Sequence, residues 1–169
     1  MANLDSEELP ELAAKGRFTI TMGIDAVALD GQKKSGSTDR FQFFCDEPAH
    51  LGGKDEHPQP LTYVAAGVGF CLLTQLKRYA EVMRIDIDDA RCRVEFDWYS
   101  TGSVRAGTIQ SGATACRAHI TVRAREPQAD VARLVELAER GCFASQMVQS
   151  AVPMSITIDL QHVLVDTRV

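Results

Sequence analysis

The sequence lacks the features that mark membrane, secreted and nucleic-acid-binding proteins. The apolar run over residues 61–76 is shorter than the roughly 20 residues that a bilayer-spanning helix needs. The net charge of −5 comes without a basic stripe, which argues against a nucleic-acid partner. The acidic, polar residues near the N-terminus do not resemble a secretory signal, so we expect a cytoplasmic location.

The cysteines also lack the common arrangements. Their number is odd, no two are close in sequence, and there is no CxxC pair. This excludes a secreted disulfide framework and a CxxC zinc or thioredoxin site. Most should therefore be free thiols that pack as small hydrophobic residues. They are Cys45, Cys71, Cys92, Cys116 and Cys142.

The dominant feature of the chain is an uncharged segment over residues 61–76, which forms most of a predicted helix from Pro60 to about Arg84. Proline is favourable in the first turn of a helix. The segment is apolar on every side, which predicts burial in the core of a domain or a dimer. Gly67 and Gly69 each lower helix propensity by about 1 kcal/mol, so we expect close packing at these positions.

Around this helix, alternation of apolar and polar residues predicts several strands. A second, amphipathic helix is predicted before Gly141, which can end it, and a short third helix after Cys142. The mixed order predicts one α+β domain over residues 1–169, with antiparallel sheet, a leader over 1–15 and a core over 17–160. The predicted strands are 17–29, 40–45, 91–98, 114–123 and 155–160; a turn is predicted over 30–37, and loops over 46–60 and 100–112.

Two cysteines stand apart from the rest. Cys142 opens the third helix, whose free N–H groups would favour a thiolate, although a buried corner residue is the alternative. Cys71 lies within the long helix and becomes reactive only if a cation or donor is brought to it. Cys92 and Cys116 lie on inward strand faces, where burial raises a thiol pKa, and are interpreted as structural.

The loop before the long helix offers a remote alternative. It contains metal-ligand atoms in a spacing that matches no recognised pattern, so solvated side chains are the simpler interpretation. His119 and His162 have no visible serine or cysteine partner, which leaves a hydrolase triad only a faint alternative. The loop residues with ligand atoms are Cys45, Asp46, Glu47, His50, Glu56 and His57.

Taken together, these motifs resemble the OsmC/Ohr family (osmotically inducible protein C-like, organic hydroperoxide resistance) over roughly residues 17–160. The family's long helix typically begins Pro-Glu-x-Leu-x-Ala-Ala-x-x-x-Cys, and here Cys71 follows Pro60 by eleven residues. The lead-in Asp46-Glu-Pro…Gly52-Gly-Lys-Asp, the Arg40-Phe41 pair and a late cysteine, Cys142, are similar too.

The resemblance implies an intertwined homodimer with two long helices, one per subunit, at its centre. It implies a peroxidase that reduces organic hydroperoxides in oxidative stress defence. Cys71 would be oxidised to a sulfenic acid, and Cys142 would then form a disulfide with it. An external dithiol would reset the pair without any cofactor or metal, and Arg40 is the best candidate for the cation that stabilises the thiolate.

The chain departs from the family pattern at two positions. Leu61 stands where the family has a glutamate that orients the arginine, and Phe143 stands where it has a proline. Gln59 or Glu56 could replace the glutamate. If neither does, the thiol pKa should be higher and turnover slower. A catalytically weak dimer that binds a small molecule or senses thiols is therefore the alternative function.

Overall fold

A computed structural model describes residues 16, 19–150 and 152–159 of the chain. The leader over 1–15 and His162 lie outside the described residues. The chain divides after Pro60 into two compact units, which are described separately. Within the described residues there are two antiparallel sheets and three α-helices, which confirms the predicted α+β class.

The first unit contains a three-stranded antiparallel sheet in the order β1-β2-β3. Its strands are β1 (Asp25–Ala28), β2 (Lys34–Ser37) and β3 (Gln42–Cys45). The predicted strand over 17–29 is wrong for residues 19–24, and the predicted turn over 30–37 is wrong for β2. The sequence of β2, Lys-Ser-Gly-Ser, has low strand propensity, and its conformation follows from pairing with strands on both sides.

The loop after β3 is built around the buried carboxylate of Asp46, which is only 2% exposed. This carboxylate accepts hydrogen bonds from the backbone N–H groups of Glu47, Lys54 and Glu56, at 2.8, 2.9 and 3.3 Å. A short 3-10 helix, Ala49–Leu51, lies inside the loop. Asp46 therefore fixes the loop that was predicted as irregular.

The second unit begins within the long helix α1 (Pro60–Met83), and the predicted helix is confirmed. A long antiparallel hairpin follows, formed by β4 (Ile87–Thr101) and β5 (Gln110–Ala124), which extend the two predicted strands at both ends. The helices α2 (Gln128–Arg140) and α3 (Phe143–Gln149) complete the unit, close to their predicted bounds.

The core of the second unit consists of two clusters that meet along α1. One joins Leu76 and Ala80 of α1 to Leu134 and Ala138 of α2. The other joins Val68 and Leu72 of α1 to Cys142, with strand residues of the hairpin packed against it. The helix therefore links the hairpin to the α2–α3 corner.

Burial of α1 is one-sided in the single chain. Phe70 is 70% exposed, and Leu61 and Val64 are also exposed. A Cβ at Gly69 would make an ordinary contact with Val94, and one at Gly67 would meet open space, so the expected close packing is not found at either glycine. Of the helices in the described part, none is long and apolar enough to cross a bilayer.

The predicted strand over 155–160 is wrong for residues 155–159, which form no strand and are exposed. Their alternating pattern is real, with exposed apolar side chains at Val152, Met154, Ile156 and Ile158. A strand requires a neighbour that completes its hydrogen bonds, and alternation alone supplies none. The apolar face of this segment is therefore left open to solvent in the single chain.

Candidate active site around Cys71 and Cys142

The structure brings Cys71 and Cys142 together. Cys142 is fully buried with Val68 and Leu72, and Cys71 packs against the same cluster from α1. The Cys71 thiol lies close enough to Cys142 to raise the pKa of the Cys142 thiol. Both thiols are free. Residues far apart in sequence thus form one dithiol site inside the second unit.

Cys142 is the N-cap residue of α3, with extended backbone angles of −81° and 112°. Its sulfur accepts a hydrogen bond of 3.4 Å from the backbone N–H of Ser145. Burial nevertheless raises the pKa of the Cys142 thiol to about 11, and the neighbouring Cys71 thiol acts in the same direction. Of the two alternatives for Cys142, the buried corner residue agrees with its complete burial and its raised pKa.

The position of Cys142 depends on close packing at the preceding residue. A Cβ at Gly141 would collide with the hydroxyl group of Tyr79 on α1. Gly141 is the predicted end of α2, but its φ of −91° is accessible to any residue. The glycine is required here because Tyr79 lies against the backbone, which holds the α2–α3 corner onto α1.

Gln75 of α1 is a buried polar residue that no sequence motif singles out. Its side chain is 4% exposed, and no described group donates a hydrogen bond to its amide oxygen. The available signal was a lone amide in an uncharged helix, four residues after Cys71. An interval of four residues places both side chains on the same helix face.

A cavity of about 480 Å³ lies between α1, β5, α2 and α3. Neither Cys71 nor Cys142 lines it, but Val68 and Leu72, which pack with Cys142, do. Apolar side chains dominate its lining, and the polar groups come from α2 and α3. Ser145, whose N–H donates to Cys142, is one of its lining residues. The cavity is large enough for a small organic molecule. Its lining residues include Val68, Leu72, Ala118, Ile120, Val135 and Glu139.

The two cysteines that the sequence analysis interprets as structural both lie on the hairpin. Cys92 of β4 packs against the cluster around Cys142, and Cys116 of β5 lines the cavity. Burial raises the pKa of both thiols, as expected for inward-facing strand positions. A raised pKa keeps a thiol protonated, so neither Cys92 nor Cys116 is expected to act as a nucleophile.

The structure places Arg40 in the turn between β2 and β3. Thr38 accepts hydrogen bonds from the N–H groups of Arg40 and Phe41, and the Arg40 guanidinium lies 5.5 Å from the centre of the Phe41 ring. Arg40 belongs to the first unit, and its role as the cation of the site stays a prediction. Glu56, one candidate to orient it, forms a 2.9 Å ion pair with Lys33 instead.

The two positions that depart from the family pattern are both exposed. Leu61 lies in the first turn of α1, and Phe143 is the first residue of α3. Neither side chain can supply the carboxylate of the family's glutamate. The site as described therefore contains the two thiols without an acidic residue at the motif position.

The histidines considered for a metal site or a hydrolase triad lie in different environments. His57 stacks on Phe44, with ring centres 5.3 Å apart. His119 lies on the exposed face of β5, opposite Arg93. Within residues 16, 19–150 and 152–159, no three histidine, cysteine or acidic side chains cluster closely enough to hold a metal ion.

The chain matches one known protein family. The sequence model of a family described as OsmC-like protein matches residues 53–157. A search of curated proteins found no significant match.

Solved structures share the fold at low sequence identity. An OsmC-like protein from Mycoplasma pneumoniae matches with a TM-score of 0.68 and 18% identity, over 79% of this chain and 91% of that one. A hydroperoxide resistance protein OsmC from Legionella pneumophila matches with a TM-score of 0.58 and 21% identity, over 78% and 92%. An OsmC-like hydroperoxide resistance protein from Jannaschia sp. CCS1 matches with a TM-score of 0.56 and 19% identity, over 81% and 91%.

Proposed function

Because this chain belongs to the OsmC-like protein family, we propose that it reduces organic hydroperoxides through Cys71 and Cys142. The observation that carries the proposal is the proximity of the two thiols, with Cys71 packed against the cluster that contains Cys142. Solved structures of similar fold include proteins named for hydroperoxide resistance. The cavity lined by Val68 and Leu72, which pack with Cys142, has room for the organic part of such a substrate.

The first chemical step takes place at Cys71. Its thiolate attacks one oxygen of the hydroperoxide, the O–O bond breaks, and the alkoxide leaves and is protonated to an alcohol. Cys71 is thereby oxidised by two electrons to a sulfenic acid. Cys71 rather than Cys142 takes this role, because Cys142 is fully buried, which hinders access of a peroxide and raises the pKa of its thiol.

In the second step Cys142 attacks the sulfur of the Cys71 sulfenic acid. The S–S bond forms, the S–O bond breaks, and the hydroxide takes the proton of Cys142 and leaves as water. A dithiol then reduces the disulfide and is itself oxidised, which restores both thiols. A reducing cytoplasm is the location that suits such a reductant and the free cysteines of the described chain.

Arg40 is the proposed cation that stabilises the Cys71 thiolate. The Arg40-Phe41 pair matches the family pattern, and the exposed guanidinium has no carboxylate partner among the described residues. Replacing Arg40 with Lys keeps the charge, whereas Arg40→Ala removes it. Slower oxidation of Cys71 in Arg40→Ala than in Arg40→Lys would support the assignment, and equal rates would contradict it.

Peroxide consumption by single cysteine variants tests the proposal. With tert-butyl or cumene hydroperoxide and a dithiol, Cys71→Ser should lose activity by at least about 100-fold, because the attacking sulfur is absent. Cys142→Ser should still form a sulfenic acid at Cys71, detectable by a 1,3-diketone probe and mass spectrometry. Cys45→Ser, which changes a half-buried free thiol of the first unit, is the control and should retain activity.

A homodimer is part of the same proposal. One face of α1 and the apolar side of residues 152–159 are exposed in the single chain, and a second copy would cover such surfaces. Sedimentation of the purified protein should give the mass of two chains. A single-chain mass at micromolar concentration would contradict the dimer without affecting the dithiol chemistry.

A second function is favoured by one observation, the replacement of the motif glutamate by Leu61. Without an oriented arginine, the protein would turn over slowly and act as a small-molecule-binding or thiol-sensing dimer. The cavity of about 480 Å³ would then hold a ligand. Native mass spectrometry should detect a retained small molecule in that case, whereas robust turnover with an empty cavity would exclude it.

A further inference from the structure

Gln75 is the one buried amide of α1 whose oxygen lacks a donor in the described part of the chain. Buried polar atoms in folded proteins nearly always have a hydrogen-bond partner, so such an exception requires an explanation. A catalytic intermediate that brings its own donor is one physical explanation. Gln75 follows Cys71 by four residues on the same helix, so an intermediate formed at Cys71 could supply the donor.

Two contacts define the face of α1 on which Gln75 lies. Four residues before it, Cys71 packs against the cluster that contains Cys142. Four residues after it, Tyr79 lies against the backbone of Gly141. Side chains at intervals of four share one face of a helix, so Gln75 lies between these two contacts and faces the α2–α3 corner.

No described group donates a hydrogen bond to this oxygen in the reduced protein. The Cys142 sulfur accepts from the backbone N–H of Ser145 and lies beside Cys71. Oxidation of Cys71 to a sulfenic acid adds a new O–H group at the sulfur, one helical turn from Gln75. This group is a donor that appears only during the reaction.

We propose that Gln75 is a positioning residue whose amide oxygen accepts a hydrogen bond from the O–H of the Cys71 sulfenic acid. The bond would hold the sulfenic oxygen with a lone pair directed at the Cys142 thiol. This inference rests on the proposed peroxidase function and concerns its second step.

The chemistry of that step shows why orientation matters. The Cys142 sulfur forms a bond to the Cys71 sulfur while the S–O bond breaks, and the departing hydroxide needs the Cys142 proton to leave as water. Gln75 would fix the oxygen so that it receives this proton. In the first step the Cys71 thiolate attacks the peroxide, and it has no O–H group that could donate to Gln75. The rate of this step should therefore not depend on Gln75.

The test is a single-turnover measurement on Gln75→Leu and Gln75→Met, which keep a side chain of similar volume but remove the acceptor. The wild type and each variant are mixed with one equivalent of cumene hydroperoxide. Sulfenic acid is followed with a 1,3-diketone probe, and disulfide by the loss of free thiols. We expect oxidation of Cys71 within about threefold of wild type and disulfide formation slower by about tenfold.

Thermal unfolding supplies a readout that separates positioning from a structural role. Removal of a buried acceptor without a partner should raise the melting temperature of the reduced protein, whereas a structural glutamine would lower it. Thr74→Val is the matched control. Its hydroxyl donates at 2.8 Å to the carbonyl of Phe70 on the exposed side of α1, and the change should leave both rate constants within about twofold.

The outcomes distinguish the two proposals. If wild-type Cys71 is not oxidised by the hydroperoxide, the peroxidase function fails, and the role of Gln75 fails with it. If the wild type reacts but both Gln75 variants form disulfide at its rate, only the role of Gln75 is overturned. A lower melting temperature together with equal slowing of both steps would assign Gln75 to structure alone.

Discussion

Asp46 and Cys142 are both buried, and both accept hydrogen bonds from backbone N–H groups, yet their pKa values move in opposite directions. At Asp46 burial is the largest single influence and raises the pKa, but three backbone N–H groups and the charge of Lys33 together outweigh it and lower the pKa. At Cys142 burial is again the largest influence, and it prevails.

The difference lies in the number and length of the hydrogen bonds. The Asp46 oxygens accept three bonds between 2.8 and 3.3 Å, whereas the Cys142 sulfur accepts one of 3.4 Å. A helix N-terminus therefore does not guarantee a thiolate: short donors must replace the water that burial removes. Asp46 is a charged group that organises a loop, and Cys142 is a neutral thiol that can donate a proton.

The largest effect on stability is expected from Gly53→Ala, which adds a side chain inside the loop that the Asp46 carboxylate holds. A Cβ at Gly53 would collide with the backbone oxygen of Glu47 and lie 2.8 Å from the Asp46 carboxylate. Backbone cannot move aside as a side chain can, so Gly53→Ala should lower the free energy of unfolding by about 3 kcal/mol or more. Urea denaturation of the purified variant measures this loss.

Gly23→Ala is the matched control for that experiment, because a Cβ at Gly23 meets nothing within 4 Å. The control should change the free energy of unfolding by less than about 1 kcal/mol. Equal stability of the Gly53 variant and the control would mean that the loop rearranges freely and that the Asp46 hydrogen bonds do not hold it.

A smaller effect is expected at alkaline pH from Cys142. Its folded pKa of about 11 lies above the ordinary thiol value of 9.0. Between these values the unfolded chain has lost the proton and the folded chain has kept it, so stability is fully present below pH 9 and falls as pH rises. By pH 11 the loss should reach about 2 kcal/mol.

Urea titrations at several pH values, with a reductant that keeps the thiols free, measure this dependence. Cys142→Ala lacks the titrating group and should lose less stability than the wild type over the same range, even though the substitution itself is destabilising. Parallel curves for the two proteins would show that the Cys142 thiol ionises normally and that the contrast with Asp46 is absent.

The sequence predicted those parts of the molecule whose conformation is fixed by local pattern. The helix starting at Pro60, the amphipathic helix ending at Gly141 and the inner parts of the hairpin were all predicted. Strand β2 was missed because its conformation comes from neighbours on both sides. The segments 19–24 and 155–159 were overpredicted because alternation does not supply a pairing strand.

At the site, the family motifs alone are enough to select the cysteine pair, and the two thiols lie in contact. The protonation of Cys142 could not be predicted, since it depends on a hydrogen-bond length and on burial, which no motif records. Gln75 was missed for a related reason. A lone amide in an apolar helix becomes informative only when its oxygen is known to lack a donor.

The smallest effect is expected at acidic pH from Asp46, because burial and hydrogen bonding oppose each other in its pKa. The folded pKa lies below the ordinary value of 3.8, so the carboxylate contributes stability above pH 4 that is lost as pH falls through the folded pKa. Asp46→Asn cannot titrate and presents an NH₂ group to backbone donors, so it should be less stable than the wild type at neutral pH. The gap between the two proteins should narrow as the wild-type carboxylate is protonated. Urea denaturation between pH 3 and 7 measures the gap, and a constant difference would mean that the charge of Asp46 does not hold the loop.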